Sequence, residues 1–345
     1  MNDLTLILKV EELKFSLKLL VLTFLGSILV TPILTHFQFK FKLWKKPQEE
    51  SSMTGEKTPI YTALHKGKHG KLPTLAGLMI LIPVLIVNIL FNLDRAETWL
   101  PLFTLFSAGI LGAINDLFNV FGKSKIRGLK SSEKLLLQII ISGIGAWWFY
   151  FKLGWHRIHI PAFGDLDIGM LYIPFFMLVL ISTSNAVNIT DGLDGLAGGL
   201  LSMSFASFGA IAFFKGMENL AAFSTSLTGA TLAYTWFNIF PARFLMGDSG
   251  SLSLGMTLGV IAMLTDSALI LPITGGVFVF ETLSVVLQLF WKKFFKRKLI
   301  LSSPIHYHFQ AVGWPETKVT MRFWVLGAVF AACGLILGLL GGGNF

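Results

Sequence analysis

A single cysteine, Cys333, stands in 345 residues. An intrachain disulfide and a cysteine-based metal site are thereby excluded. Charge is also scarce: 14% of residues are charged, little more than half of the ~25% typical of a soluble domain. Apolar residues make up 54%. They come in blocks of roughly 17–25, the length at which a helix crosses ~30 Å of hydrocarbon. No ten-residue polar–apolar alternation recurs, so a transmembrane β-barrel does not fit. In hydrocarbon the backbone groups must be satisfied within each segment, so the blocks are read as helices. A soluble enzyme, a disordered chain and a nucleic-acid-binding domain are poor fits. The net charge of +9 belongs to a basic cytoplasmic face, because no aromatic-interleaved soluble basic module accompanies it. The first apolar block is too long for a signal-peptide core and lacks a small-residue cleavage pattern, so a retained span is expected.

Ten segments can be drawn, at about 15–37, 74–91, 99–114, 135–153, 170–187, 195–215, 220–240, 251–265, 269–290 and 323–341. The eighth is short and Gly-rich. The fold class expected is all-α, a polytopic membrane protein of about ten transmembrane helices. No repeat or second domain is visible, so residues 1–345 read as one integral membrane domain. The loops at about 38–73, 115–134, 188–194, 241–250 and 291–322 then share one side and hold 21 of the 28 basic residues. That side is cytoplasmic and both termini face outward. The outer loop 154–169, GWHRIHIPAFGDLDIG, alternates around Gly and Pro and predicts a short hairpin.

Polar residues crowd the inner ends of the segments. Asn185, Asn188, Asp191 and Asp194 recur at three-residue steps, a spacing that puts side chains on one helical surface. Gly192, Gly195, Gly198 and Gly199 allow close backbone approach. FLMGDSGSLSLG, residues 244–255, sets Asp248 between glycines at the start of the eighth segment. Such a turn presents N–H groups and a carboxylate to a metal phosphate; an ordinary N-cap is the bland alternative. Asn238 and Arg243 lie beside it. SPIHYHFQAVGW, residues 303–314, carries His306 and His308, which on an extended segment point the same way. With no cysteine or third histidine nearby, phosphate contact fits them better than zinc. Asp116 ends the third segment, before Lys123, Lys125, Arg127, Lys130 and Lys134. Glu281 lies inside the ninth, where an ionised group is costly and has either a structural or a functional reason. All these clusters fall on the side that the charge pattern makes cytoplasmic. Together they describe an Asp-, His- and Lys-lined cleft for anionic ligands, with hard oxygen donors suited to Mg²⁺.

NAVNITDGLDGLAGG (185–199), FLMGDSGSLSLG (244–255), ETLSVVLQ (281–288) and SPIHYHFQAVGWPETKVTMRFW (303–324) resemble the polyprenyl-phosphate N-acetylhexosamine-1-phosphate transferase superfamily, glycosyltransferase family 4. The last two segments resemble its phospho-N-acetylmuramoyl-pentapeptide transferase branch. The resemblance implies ten spans with outward termini in a bacterial inner (plasma) membrane. It implies Mg²⁺-dependent transfer of phospho-MurNAc-pentapeptide from UDP-MurNAc-pentapeptide to undecaprenyl phosphate, releasing UMP at the cytoplasmic face. Membrane lipids and a second copy of the chain, as a homodimer, are the further partners it implies; no nucleic acid is among them. A related phosphotransferase for another UDP-N-acetylhexosamine or polyprenyl phosphate, or a non-catalytic binder of lipid-linked precursors, is the alternative.

Carried over by position, Asp248 is the first metal ligand. Asp116 matches the second acid of the family's paired-Asp motif, in lipid-phosphate or metal handling. Lys134, with Arg127 in place of a nearby lysine, matches basic residues near the phosphates. Asn188, Asp191 and Asp194 match N-x-x-D-G-x-D, Asn238 matches an Asn before Pro-Ala, and His306 and His308 match the first and third members of a three-His motif associated with diphosphate. The chain departs from the family at several positions. Asn115 replaces the first acid of the pair, Asn119 a lysine, Tyr307 the middle histidine and Gln310 a glutamate. PTLAG (73–77), with Thr74, stands for PTMGG. Leu245 stands where an aromatic is expected, and Phe244, one step earlier, is its candidate substitute for stacking on uracil.

Overall fold

A computed structural model describes residues 3–44, 72–122 and 128–340. The described residues are mainly helical. Helices α1 (Asp3–Lys40), α2 (Leu78–Phe91), α3 (Trp99–Phe121) and α4 (Ser131–Trp147) come first, α4 running on into a π turn at Trp148–Lys152. The expected hairpin follows: β1 (Arg157–Ile160) pairs antiparallel with β2 (Gly164–Asp167), Arg157 opposite Asp167 and Ile160 opposite Gly164. Then come α5 (Tyr172–Thr190), α6 (Leu196–Phe214), α7 (Glu218–Asn238) and α8 (Gly247–Leu264). A short α9 (Leu271–Thr274), α10 (Gly276–Phe295), α11 (Ile305–Ala311) and α12 (Glu316–Leu340) complete the described chain.

Helix α8 is the axis of the bundle. Every residue from Gly247 to Leu264 is buried, with α3 and α5 packed along its length and α2 and α6 also touching it. Helix α7 lies against α1, α2 and α6. Outer helices present large apolar side chains instead: Leu29 of α1 is 70% exposed and Val325 of α12 65%. Apolar surface on that scale is incompatible with water and suits lipid. Among the described residues six helices, α1, α3, α4, α5, α6 and α12, are long and apolar enough to cross a membrane. Helices α7 and α8 are not among them, because Ser, Thr and Gly dilute their hydropathy. A helix walled in by protein has no need to match lipid.

Small residues let that core close. Gly112 of α3 lies so near the start of α8 that an added Cβ would strike the Asp248 carbonyl group. This contact fixes the next turn of α3, which carries Asn115 and Asp116. Polar side chains in the core bond within the protein: Ser253 Oγ donates to Ser249 O at 2.6 Å, and Ser184 Oγ of α5 to Leu252 O at 3.0 Å. The ninth expected segment is divided, with α9 and α10 parting at Gly275, three residues after Pro272.

The described parts of the five loops expected on one side meet at one end of the bundle. Leu245 N donates to Pro73 O, Thr74 N to Leu43 O, and Tyr307 Oη to Gly192 O. The hairpin and Asp266 lie at the other end, past the last residue of α8, where His159 N donates to Asp266 Oδ1 at 3.2 Å.

Candidate active site

The site starts from the open N-terminus of α8, whose first N–H groups have no partner within the helix. Asp116, near the end of α3, supplies one from outside. Its Oδ1 accepts Asp248 N and its Oδ2 accepts Ser249 N, both at 3.1 Å. The positive end of α8 suits that carboxylate. The same bonds turn the Asp248 side chain towards α3, α4 and α5. Asn115 Nδ2 donates to Asp248 Oδ2 at 2.7 Å, Lys134 Nζ to the same oxygen at 2.8 Å, and Asn188 Nδ2 to Oδ1 at 3.0 Å. Asn188 also donates to Ser251 Oγ at 2.8 Å. Thr74 borders the group: an added Cβ on Gly247 would strike both Asp116 Oδ2 and Thr74 Oγ1. Side chains of four helices and the segment before α2 thus meet around one aspartate, a residue only 8% exposed.

This donor set suits a hard divalent cation. It is made of oxygen: two carboxylates, the hydroxyl of Thr74, which is buried and has no partner among the described residues, and the amide oxygen of Asn188, whose two bonds use its nitrogen. Hard oxygen ligands select Mg²⁺ over softer metals. Lys134 lies where positive charge is wanted. A second group able to hold a metal ion, His159, Asp165 and Asp266, has its ligand atoms within 4.8 Å of one another. It lies at the hairpin end and shares nothing with Asp248. Burial there pushes the Asp266 carboxyl above the usual carboxylate range, against the pull of nearby Lys215 and His159.

A second buried group adjoins the first through the turn after α5. His306 and Glu281 are both fully buried, and His306 Nδ1 lies 2.9 Å from Glu281 Oε2. A ring nitrogen facing a carboxylate carries the hydrogen, which fixes the tautomer. His306 Nε2 and Glu281 Oε1 have no partner among the described residues. The Nε2 atom abuts Gly192, where a Cβ would strike it. That glycine therefore admits the imidazole beside Asp191, the half-buried cap of α5.

Several expected site residues have other work. The four polar residues at three-residue steps do not share one surface, because α5 stops at Thr190. Asn185 turns to Gln138 of α4, at 3.1 Å. Asp194 lies in the following turn, where its Oδ2 accepts Ala242 N at 3.0 Å. Both polar ends of Asn238 serve the backbone: Oδ1 accepts Gly195 N at 2.9 Å and Nδ2 donates to Phe244 O at 2.8 Å. Together Asp194 and Asn238 tie the α5–α6 turn to the α7–α8 loop. Gly195 and Gly199 make room for Trp324, whose Nε1 donates to Gly195 O at 3.1 Å. The last long motif thereby docks α12 on that turn.

His306 and His308 do not lie on an extended segment. They belong to helix α11, where residues two apart point away from each other. His308 Nδ1 faces Leu301 N at 3.4 Å, away from the buried Glu281. Phe244 offers no face to a base, because it is fully buried between Tyr234 and Phe237, at centroid distances of 5.8 and 6.1 Å. Leu245 is the half-buried side chain there. Arg127, with Lys123 and Lys125, lies outside the described residues. Ser251 is the site member that the sequence reading missed. Its signal was a serine three residues after Asp248, on the same helical face.

The model of glycosyl transferase family 4 matches residues 98–266, which include Asn115, Asp116, Lys134, Asn188 and Asp248. The chain is 35% identical over 348 residues to a phospho-N-acetylmuramoyl-pentapeptide-transferase of Chloroflexus aggregans, covering 96% of this chain and 92% of that protein. To the protein of the same name from Shouchella clausii it is 38% identical, over 93% of this chain and 96% of the other. For a Geobacillus strain the identity is 35%, over 92% and 96%. With relatives at these identities matched over nearly their whole length, the chain belongs to the phospho-N-acetylmuramoyl-pentapeptide-transferase family, a family of transferases.

Proposed function

We propose that this protein transfers phospho-MurNAc-pentapeptide from UDP-MurNAc-pentapeptide to undecaprenyl phosphate, releasing UMP, at the cytoplasmic face of a bacterial plasma membrane. All ten long helices, as one integral domain with outward termini, form the scaffold. The observation that carries this reading is the convergence of Asn115, Asp116, Lys134, Asn188 and Asp248 at one end of the bundle. Two anionic reactants meet there only if charge is supplied to hold them together.

Asp248 and Asp116, with Asn188 and Thr74 beside them, would hold Mg²⁺. When bound, the ion neutralises diphosphate charge and aids departure of the UMP phosphate. Lys134 adds a fixed cation, and its ammonium turns from Asp248 to a phosphate oxygen without leaving the site. His306, held by Glu281, offers Nε2 towards the Asp191–Gly192 turn, where the diphosphate is assigned. Phosphoryl transfer of this kind is chiefly positioning and charge stabilisation.

The lipid partner needs an apolar berth next to this polar one. A cavity of about 220 Å³ lies between α5, α8, α9 and α10, lined by Val179, Ala186, Leu258, Leu271, Phe278 and Val279 among others. Ala186 lies one helical turn before Thr190, on the end of α5 that also carries Asn188, so the cavity runs towards the end of the bundle that holds Asp248. The test is direct. Purified protein with undecaprenyl phosphate, labelled UDP-MurNAc-pentapeptide and Mg²⁺ releases UMP and forms a lipid-linked sugar, and EDTA abolishes both. UMP release only from another UDP-N-acetylhexosamine selects a sister activity. Binding without turnover selects a precursor-binding protein.

A further inference from the structure

We propose that Asn115 is a positioning residue which assembles the Asp248 site without metal, and that the position supplies no base. Both ends of its amide are committed. Nδ2 donates to Asp248 Oδ2 at 2.7 Å, and Oδ1 accepts Leu129 N at 2.7 Å. The residue is 2% exposed. Gly128, at φ +88°, brings the chain so close that a Cβ there would come within 2.8 Å of Asn115 Oδ1. The backbone N–H of Leu129 therefore fixes which way the amide faces, and that orientation presents a donor to Asp248. Asn115 thus links the segment entering α4, which carries Lys134, to the first turn of α8.

A carboxylate at position 115 would meet Leu129 N equally well, but would turn a second negative oxygen on Asp248 Oδ2. Such a pair needs a cation to bring it together. The amide replaces that repulsion with a hydrogen bond, so the site is formed before any cation arrives, with one negative charge fewer. A neutral amide takes no proton at neutral pH. This second part rests on the phosphotransfer reading. An oxygen of the lipid phosphate bonds to the sugar-linked phosphorus. The bond from that phosphorus to the bridging oxygen breaks, and its electron pair leaves with UMP. A phosphate monoester with a second pKa near ~6 arrives at pH 7 mostly without its proton, so no side chain has to remove one.

The test uses the full-length protein in detergent, melted in EDTA and across a Mg²⁺ titration, with Asn115→Asp and Asn115→Ala. The proposal expects Asn115→Asp to melt lower than wild type in EDTA, to gain more from Mg²⁺, and to need about tenfold less Mg²⁺ for its half-maximal shift. Asn115→Ala melts lower and needs more Mg²⁺, because Asp248 is no longer held. A purely structural asparagine would lower both melting curves and leave the Mg²⁺ midpoint unchanged, and that result overturns the positioning role. If Asn115→Asp does not accumulate, the Mg²⁺ midpoint of Asn115→Ala decides alone. A rise in kcat of tenfold or more in Asn115→Asp at saturating Mg²⁺ would show that a base was missing, and overturns the second part. If no form of the protein turns over, the phosphotransfer reading fails while the melting data still judge the role of Asn115.

Discussion

Replacing Asp248 by Asn separates holding the fold from running the reaction. The carboxylate accepts from Asn115 at 2.7 Å, Lys134 at 2.8 Å and Asn188 at 3.0 Å. An Asn side chain has one acceptor and one donor end. Asn115 cannot turn its amide over, because Leu129 N holds its oxygen, so the new carbonyl faces Asn115 and Lys134. The new NH₂ then faces Asn188, which answers by turning its own amide, with Ser251 Oγ shifting its hydrogen from Gly247 O to the turned carbonyl. The bonds survive but lose their charge assistance. A bond to a charged group is worth about 1.5–3 kcal/mol against ~1 for a neutral one. The Lys134 and Asp248 side chains are 26% and 11% exposed, so solvent screening takes part of that difference. The net cost is about 1 kcal/mol, or a fall of roughly 1–2 °C in melting temperature for a chain of this size. Turnover loses more. Charge stabilisation aimed at a transition state carries about 10²–10³ in rate per group, and the carboxylate is also the first metal ligand. Asp248→Asn should therefore accumulate normally, melt within a few degrees of wild type, and release UMP at least about 10²-fold more slowly. Activity within threefold of wild type, in a protein that melts as expected, would refute the assignment of Asp248.

Other perturbations read the site from different sides. Glu281→Gln removes the carboxylate that fixes the His306 ring, so kcat should fall about ten- to a hundredfold with KM for the UDP-sugar nearly constant in steady-state assays; an unchanged kcat would make the pair purely structural. Val279→Trp narrows the apolar cavity and should raise KM for the polyprenyl phosphate about tenfold without moving KM for the nucleotide; equal effects on both would remove the lipid from that cavity. Asp266→Asn tests the far end. Burial raises the Asp266 carboxyl, so the folded state binds its proton more readily than the unfolded chain, and wild-type stability falls as pH rises through that range. The variant should melt no lower than wild type at pH 7, the difference closing as pH drops below the raised value; a lower melting temperature at pH 7 would contradict this sign.

The helices were legible wherever they face lipid, because hydrocarbon demands long unbroken apolar runs. The eighth segment was the faintest for the opposite reason. Its Ser251, Ser253, Gly255 and Thr257 line a helix surrounded by other helices, where close approach matters more than hydropathy. The hairpin at 157–167 showed in its alternation and its Gly-Pro punctuation. Within the site, Asp116, Lys134, Asn188 and Asp248 could be named individually from the sequence. Their mutual distances could not, since each comes from a different helix. Three-residue spacing misled at Asp191 and Asp194 because α5 ends between Asn188 and Asp194, and Gly192 and Gly195 mark that end. The histidines misled because Pro304 opens a helix there. Phe244 looked available because sequence does not say which aromatic faces the core.

The proposed chemistry requires a cation held at Asp248 and not at the hairpin. Mn²⁺ in place of Mg²⁺, titrated into purified protein with the UDP-sugar and followed by electron paramagnetic resonance, measures this directly. The account predicts saturable Mn²⁺ binding that is lost in Asp248→Asn and kept in Asp165→Asn. Binding that persists in Asp248→Asn and disappears in Asp165→Asn would contradict it.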